Sequence, residues 1–318
     1  MVPELFNQLK LENQAVDFPN LALALSKGSV EKLSNPINEL ALVAELSNHA
    51  EFNQNARAAL YLHGIDEKPN TWVCYASPVL IQPNRDHLSI VQADGFELEI
   101  DDAKSLCSEF NDYFKDDGLQ FGFTQANTWF CYHDEASNAA VISPTQIIGK
   151  NILEYLPSEL SDVQWRKMFN ETQMLLHHSA TNQRRVSNGK PEINSLWFWG
   201  GGILPEGFDP VFNQIFTNNP EMKGLAKLMQ SEVNDLPDDI STKLIEGMDE
   251  QLFVVDFQYS TDVYSQIEKY VQECLQLLKN KSIDTFQFIP DYGQKFTITA
   301  SSLKKFWKVP KNISTFIH

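Results

Sequence analysis

The stretch WRKMFNETQMLLHHSATNQRRVSNGKPEINSLWFWGGGILP, from Trp165 to Pro205, decides how the rest of the chain is interpreted. Its first part, through Leu176, repeats apolar residues every three or four positions and therefore predicts an amphipathic helix. A polar, basic connection follows over Asn182–Gly189. The aromatic-rich run Ile193–Trp199 then predicts a β-strand, which leads into three consecutive glycines.

The glycines Gly200, Gly201 and Gly202 predict an anion-binding loop, because no side chains cover the backbone N–H groups there. With Arg184 and Arg185 just upstream, the pattern is typical of a pocket for a phosphate or carboxylate. The alternative is that the glycines let the strand turn sharply against a packed neighbour while the arginines lie in solvent. The pattern alone leaves both interpretations open.

The composition is that of a globular protein. The 318 residues exceed the usual size of one domain, and 42% hydrophobic with 11% aromatic residues are enough for a sizeable core. A net charge of −17 argues against nucleic acid and anionic membranes as partners, since both attract basic surfaces. The chain shows neither a signal-peptide pattern nor an apolar run long enough to cross a membrane. Four widely spaced cysteines form no CxxC pair, so we expect reduced thiols and a cytoplasmic protein.

The order of predicted elements indicates an α/β protein with two domains. Strands at 252–257 and 285–289 flank a long helix at 263–279, which favours a parallel crossover, and a closing helix is predicted at 301–307. A strand–strand–helix–strand–strand unit over 71–150, with Asp101 and Asp102 capping its helix, predicts an α+β module. We therefore expect residues 1–70 and 206–318 to form a discontinuous α/β core, and residues 71–205 to form an inserted α+β domain.

A spaced motif runs through the stretch from Trp165 to Pro205: Asn182, Arg185, Gly189-Lys190-Pro191, Asn194, Trp197-x-Trp199-Gly200-x-Gly202 and Pro205. This motif resembles archaeal-type cofactor-independent phosphoglycerate mutases, which belong to the alkaline phosphatase superfamily. It is closer still to a proteobacterial group of RpfE-type regulatory or phosphoglycerate-mutase-like proteins. The resemblance implies a degenerate alkaline-phosphatase-like α/β core with an inserted α+β domain.

The chemistry of that family needs two divalent metals, a serine nucleophile, and several Asp and His ligands. The resemblance places Asn55 at the serine, and asparagine has no hydroxyl that could be phosphorylated. It also implies His ligands in the last third, whereas this sequence has no histidine between His178 and His318. The resemblance therefore predicts a catalytically degenerate homologue with a regulatory or scaffold role, with no catalytic residues, metal or cofactor.

The predicted ligand site holds a small phosphorylated or anionic metabolite. Two alternatives stay open: an active phosphotransferase or phosphatase with a rebuilt centre, and a protein-interaction module with a protein partner. Asp256, at the end of a buried strand, is either a relic of a metal site or a helix cap. Adjacent helical residues point about 100° apart, so we expect no chelation by His177 and His178. The site residues are Asn182, Arg185, Asn194, Trp199, Gly200, Gly201 and Gly202.

Overall fold

The structure is a computed structural model. It describes residues 1–2, 5–6, 9, 18–33, 40, 43, 56–134, 142–156, 162–206, 208, 211–244, 250–256, 259, 262–290 and 293–316, without the side chains of 162–166, 242 and 244. Asn55, at the predicted position of the nucleophile, lies outside the described residues.

The chain divides into two compact units. Met1–Phe52 and Glu206–His318 form the first unit, and Asn53–Pro205 forms the second, between the two segments of the first. The sequence interpretation placed its first boundary at 70/71, whereas the helix Arg57–Gly64 belongs to the second unit in the structure. The reason is packing, because Ala58, Ala59 and Leu62 share one hydrophobic cluster with Trp197.

The helices and strands of the described residues are numbered in chain order. The first part of the chain contains α1 (Pro19–Lys27), β1 (Ser29–Lys32), α2 (Arg57–Gly64), β2 (Trp72–Pro83), β3 (Leu88–Gln92), α3 (Ile100–Phe114), β4 (Leu119–Gln125), β5 (Thr128–His133), α4 (Asp162–His178), α5 (Ala180–Ser187) and β6 (Ser195–Gly202). The last part contains β7 (Gln214–Thr217), α6 (Pro220–Leu228), β8 (Glu232–Asn234), α7 (Ser241–Leu244), β9 (Gln251–Val254), α8 (Val263–Asn280), β10 (Thr285–Phe288), β11 (Gln294–Thr299) and α9 (Ala300–Leu303).

The second unit is built on a five-stranded antiparallel sheet. Strands follow the order β3-β2-β5-β4, and β6 pairs with β2 on its other side. Side chains alternate along β2 between two cores: Trp72 and Cys74 join one cluster, and Val73 and Tyr75 join the other. Both faces of the central strand are therefore buried, which explains why Trp72–Tyr75 is apolar at every position.

Among the described residues, the first unit contains two three-stranded sheets. The parallel sheet has the order β8-β7-β9, and the antiparallel sheet has the order β1-β11-β10. Helix α8 begins at Asp262, whose side chain accepts a hydrogen bond from the Ser265 N–H, and its apolar stripe joins the core of this unit. The described elements confirm the α/β class.

Four local predictions need correction. The strands β9 and β10 lie in different sheets, so the parallel crossover between them was wrong. The closing helix ends at Leu303 and does not reach residue 307. Asp101 and Asp102 lie inside the first turn of α3, which begins after Glu99, and do not cap it. The polar connection after α4 is the helix α5, because the Ser179 side chain caps its first turn.

No helix among the described residues combines the length and the apolar character that are needed to span a bilayer.

Candidate functional site

Strand β6 contains the three glycines of the motif as strand residues. All eight of its residues are buried, and its pairing with β2 runs from Val79↔Ser195 to Val73↔Gly202. The register shifts between Val73 and Tyr75, where Gly200 has φ +62°. The strand therefore continues through Gly200–Gly202 with a bulge, and the loop predicted at these residues is wrong.

The glycines allow close packing against the neighbouring elements. A Cβ built on Gly201 would lie 2.2 Å from the Trp72 indole ring. One on Gly202 would lie 2.8 Å from the Ala56 Cα, and one on Gly200 would lie 3.1 Å from the Arg57 Cβ. Because these neighbours fill the space beside the Cα atoms of the glycines, the geometry favours the packing interpretation of the three glycines.

Arg185 is buried in the second unit, where its guanidinium group donates four hydrogen bonds. Its side chain is 1% exposed, and Nη1 donates to Asp102 Oδ2 at 3.1 Å and to the Glu97 carbonyl at 3.3 Å. Nη2 donates to the carbonyl oxygens of Phe96 at 2.5 Å and Pro191 at 3.2 Å. Arg185 therefore joins α5 to the first turn of α3, to the segment before α3 and to the segment after α5. The segment before α3 includes Glu97, whose φ is +50°.

Asp102 receives a second arginine on its other oxygen. Arg184 Nη2 donates to Asp102 Oδ1 at 3.0 Å, although the Arg184 side chain is 58% exposed. Burial alone would raise the pKa of Asp102, but the hydrogen bonds from Arg185 and Arg184 outweigh it, so the pKa is lowered. The Asp102 carboxylate is therefore ionised at neutral pH. It neutralises positive charge of Arg184 and Arg185, which the sequence interpretation expected an anionic ligand to neutralise.

The two asparagines of the motif bond to backbone groups. Asn182 Nδ2 donates to the carbonyl oxygens of Leu176 at 3.0 Å and Ile193 at 2.7 Å, and its Oδ1 accepts the Ile193 N–H at 3.3 Å. Asn194 exchanges two hydrogen bonds with the backbone of Ile81, both at 2.8 Å. Asn182 therefore joins α5 to the end of α4 and to the segment before β6, and Asn194 joins that segment to β2.

Trp199 is positioned by a stack and a hydrogen bond. Its ring stacks on Tyr75 with centroids 4.6 Å apart, and its Nε1 donates to Ser77 Oγ at 2.9 Å. The Arg57 guanidinium lies 5.4 Å from the indole centroid. Trp197 shares the same cluster, as expected from the strand alternation.

The structure does not bring the predicted site residues to one point. Asn182 and Arg185 lie on α5 and bond to the segment before β6, whereas Asn194 immediately precedes β6 and Gly200 lies near the far end of that strand. Six strand positions correspond to roughly 20 Å. The anion pocket stays a prediction, and each of its polar side chains forms at least one hydrogen bond within the protein.

The carboxyl edge of the parallel sheet is a second candidate site, because open α/β sheets bind ligands there. Asn218 and Asn219 follow β7, Asp235 follows β8, and Asp256 follows β9. Sequence reasoning singled out Asp256 alone and missed that Asn219 meets it. The helix start at Asn219-Pro220 was the available signal, since it marks the end of β7.

Asn219 connects a helix cap to a carboxylate. Its Oδ1 accepts the backbone N–H groups of Glu221 at 2.9 Å and Met222 at 3.3 Å, and its Nδ2 donates to Asp256 Oδ2 at 2.9 Å. Asp235 is mostly exposed and forms an ion pair with Lys223. A metal ion needs oxygen lone pairs as ligands. The amide oxygen of Asn219 already accepts hydrogen bonds from the first turn of α6, and its NH₂ group donates to Oδ2 of Asp256, so neither atom is available to a metal ion.

The described residues do not fit a two-metal phosphatase centre. Within them, no group of three His, Cys, Asp or Glu side chains is arranged to hold a metal ion. Three of the four thiols are also poor nucleophiles, because burial raises the pKa of Cys107 and of Cys274 to about 12 and also raises that of Cys74. The arrangement at this edge can cap a helix and orient one carboxylate.

Comparisons with known proteins give partial similarity to one class of enzyme. No family model matches the chain. A probable 2,3-bisphosphoglycerate-independent phosphoglycerate mutase of Geobacter sulfurreducens is 25% identical over 131 residues, which is 40% of this chain and 32% of that protein. The corresponding mutase of Methanosarcina barkeri is 34% identical over 73 residues, or 23% of this chain and 18% of that protein.

Two solved structures align with most of this chain. The alignment with a cofactor-independent phosphoglycerate mutase of Thermoplasma acidophilum covers 95% of this chain and 87% of the mutase chain, with 17% identity and a TM-score of 0.46. The alignment with the PH0037 protein of Pyrococcus horikoshii covers 89% of this chain and 80% of the PH0037 chain, with 12% identity and a TM-score of 0.51. The second likeness shows a shared fold.

The matches extend over only about a third and about a fifth of the two mutases compared in sequence. Part of this chain is therefore homologous to 2,3-bisphosphoglycerate-independent phosphoglycerate mutases.

Proposed function

We propose that this chain is a catalytically inactive homologue of these mutases with a regulatory or scaffold role. The observation that carries the proposal is the carboxyl edge of the parallel sheet, where Asn219 caps α6 and binds Asp256. In a metal-dependent phosphoryl-transfer enzyme this edge must present several oxygen or nitrogen ligands to the ions. A pair made of one amide and one carboxylate supports a structural role for the edge.

The sequence supports the same proposal independently. The sequence contains no histidine between His178 and His318. The three strands of the parallel sheet and the connections between them therefore supply no histidine ligand. The motif of the second unit is intact, and its polar residues hold that unit together. A chain that retains the structural residues and lacks the reactive ones is expected to act through binding.

The direct test is turnover of 3-phosphoglycerate and p-nitrophenyl phosphate by the purified protein, with Mn²⁺, Zn²⁺ or Mg²⁺ added. The Methanosarcina barkeri mutase is the positive control for the 3-phosphoglycerate reaction. We expect no turnover with any of the metals, and no saturable metal binding by isothermal titration calorimetry. A melting transition in the same sample shows that the protein is folded.

Metal-dependent turnover that disappears in Asp256→Asn would overturn the proposal and support an active enzyme with a rebuilt centre. Turnover that is equal in wild type and Asp256→Asn, and that is removed by further purification, indicates a contaminant and leaves the chain itself inactive as proposed. The matched control is Asp235→Asn, because Asp235 lies at the same edge but is exposed and paired with Lys223.

A further inference from the structure

The segment Lys304–Lys311, with the sequence KKFWKVPK, is an exposed loop of basic and apolar residues, and we call it the basic aromatic loop. Phe306 is 85% exposed, Trp307 is 66% exposed, and Val309 is 72% exposed. These are the three most exposed large hydrophobic side chains among the described residues, and they lie within four consecutive positions. Such exposure of neighbouring aromatics is costly in water and indicates an interaction surface.

The sequence around the loop is basic, in contrast to the acidic chain as a whole, although Lys295 is paired with Glu31 of β1. Residues 294–318 contain five lysines and no Asp or Glu, although the whole chain has a net charge of −17. Helix α1, which packs beside α9, also has no acidic residue. The lysines flank the apolar residues on both sides, with Lys304 and Lys305 before them and Lys308 and Lys311 after them.

The loop is held in place from behind by hydrogen bonds to and from the end of α1. Lys27 Nζ donates to the Lys305 carbonyl at 2.6 Å, and Lys308 Nζ donates to the Gly28 carbonyl at 2.9 Å. The Lys311 N–H donates to Ser26 Oγ at 2.8 Å. Because hydrogen bonds fix the loop backbone, the loop loses little backbone conformational freedom when it binds.

We propose that the basic aromatic loop docks on a surface of anionic phospholipid. Trp and Phe side chains favour the boundary between headgroups and acyl chains, and lysines are attracted to anionic headgroups. The acidic residues elsewhere contribute little at the contact, since charges are screened beyond about 8 Å at physiological salt. The expectation against membranes came from the net charge, which averages over the whole chain and hides this local exception.

A lipid surface fits the loop better than a protein groove. The exposed apolar side chains have lysines on both sides in the sequence, and a deformable headgroup layer accepts such side chains without a preformed complementary groove. The proposal concerns the first unit alone and does not depend on whether the chain is catalytically inactive.

The test is co-sedimentation of the full chain with vesicles of phosphatidylglycerol and phosphatidylcholine in equal parts, compared with vesicles of phosphatidylcholine alone. We expect binding to the mixed vesicles at physiological salt, a blue shift of the tryptophan emission, and release at high salt. In Lys304→Gln/Lys311→Gln the partition coefficient should fall about 30-fold, from the attraction of two lysines. In Phe306→Ser/Trp307→Ser both binding and the blue shift should disappear.

Matched controls change the same residue types elsewhere. Met174 is 63% exposed on α4, and Lys279 is exposed on α8, so Met174→Ser and Lys279→Gln should bind vesicles like wild type. All substituted side chains are exposed, so the variants are expected to fold, and melting curves verify this. Absence of binding to the mixed vesicles, or binding that the loop variants do not weaken, overturns the proposal. A photo-crosslinker at position 306 that captures a protein in place of lipid, with vesicles unbound, also overturns it and assigns the loop to a protein partner.

Discussion

Replacement of Arg185 by alanine separates the two interpretations of the motif. If Arg185 is a ligand-binding residue, its loss should leave the stability of the second unit almost unchanged. If it is the internal connector described above, the change removes hydrogen bonds to three backbone carbonyls and one of the two arginines on Asp102. Asp102 would then remain buried with Arg184 as its only remaining arginine partner.

The magnitude follows from burial. Removing one partner of a buried, hydrogen-bonded ion pair costs about 3–5 kcal/mol, because the other charge stays desolvated. A typical domain has a free energy of unfolding of about 5–15 kcal/mol, so Arg185→Ala should bring the second unit close to its folding threshold. Arg184→Ala is the matched control: its side chain is 58% exposed, and the expected loss is about 0–1 kcal/mol.

The assay is urea denaturation followed by tryptophan fluorescence, since five of the six tryptophans lie in the second unit. Circular dichroism on the same samples reports both units and shows whether they unfold separately. Arg185→Lys retains the charge without the planar fork and should fall between wild type and alanine. A loss below about 1 kcal/mol in Arg185→Ala, similar to that of Arg184→Ala, would refute the connector role.

The remaining predictions address the glycines, the ion pair and the predicted ligand. Gly201→Ala places a methyl group 2.2 Å from the Trp72 ring, so we expect urea denaturation to show a loss of about 1–3 kcal/mol from overpacking, and a neutral effect would contradict the close approach. The lowered pKa of Asp102 means that its stabilising effect is present above its usual value of 3.8 and is lost as the pH falls through the lower folded value. The stability difference between wild type and Asp102→Asn should therefore shrink on acidification below about pH 4, and a constant difference would contradict the charge interaction. Because the polar side chains of the predicted anion pocket are internally bonded, 3-phosphoglycerate should leave the melting temperature unchanged; a saturable rise would restore that pocket.

The sequence predicted helices and strands well where the apolar residues of one element repeat at the spacing of that element. The strand predicted within Ile193–Trp199 and the helix predicted from Val263 are present as β6 and α8, since strand and helix patterns are written in adjacent residues. Helix α5 was missed because its residues are polar on most sides. Its formation depends on the Ser179 cap and on Arg185, whose partner Asp102 lies 83 positions earlier in the chain.

The same limit applied to the sheets. The apolar run that became β9 and the helix after it predicted a parallel crossover, but β10 pairs antiparallel with β11 instead. A strand's own residues indicate how deeply it is buried, whereas its neighbour is selected by the packing of the entire unit. The meeting of Asn219 and Asp256 was hidden for this reason, since it depends on β7 and β9 lying side by side.

The sequence by itself determined the α/β class, the likeness of the segment Asn182–Pro205 to a known motif, and the lack of histidines between His178 and His318. Only the tertiary structure decided what the motif does. It placed the Trp72 ring against Gly201 and directed Arg185 to Asp102, so residues that resemble an anion site form internal contacts. The physical reason is that an arginine or a glycine has the same local signature whether a ligand or the protein itself occupies the space beside it, and only the packed fold shows which one does.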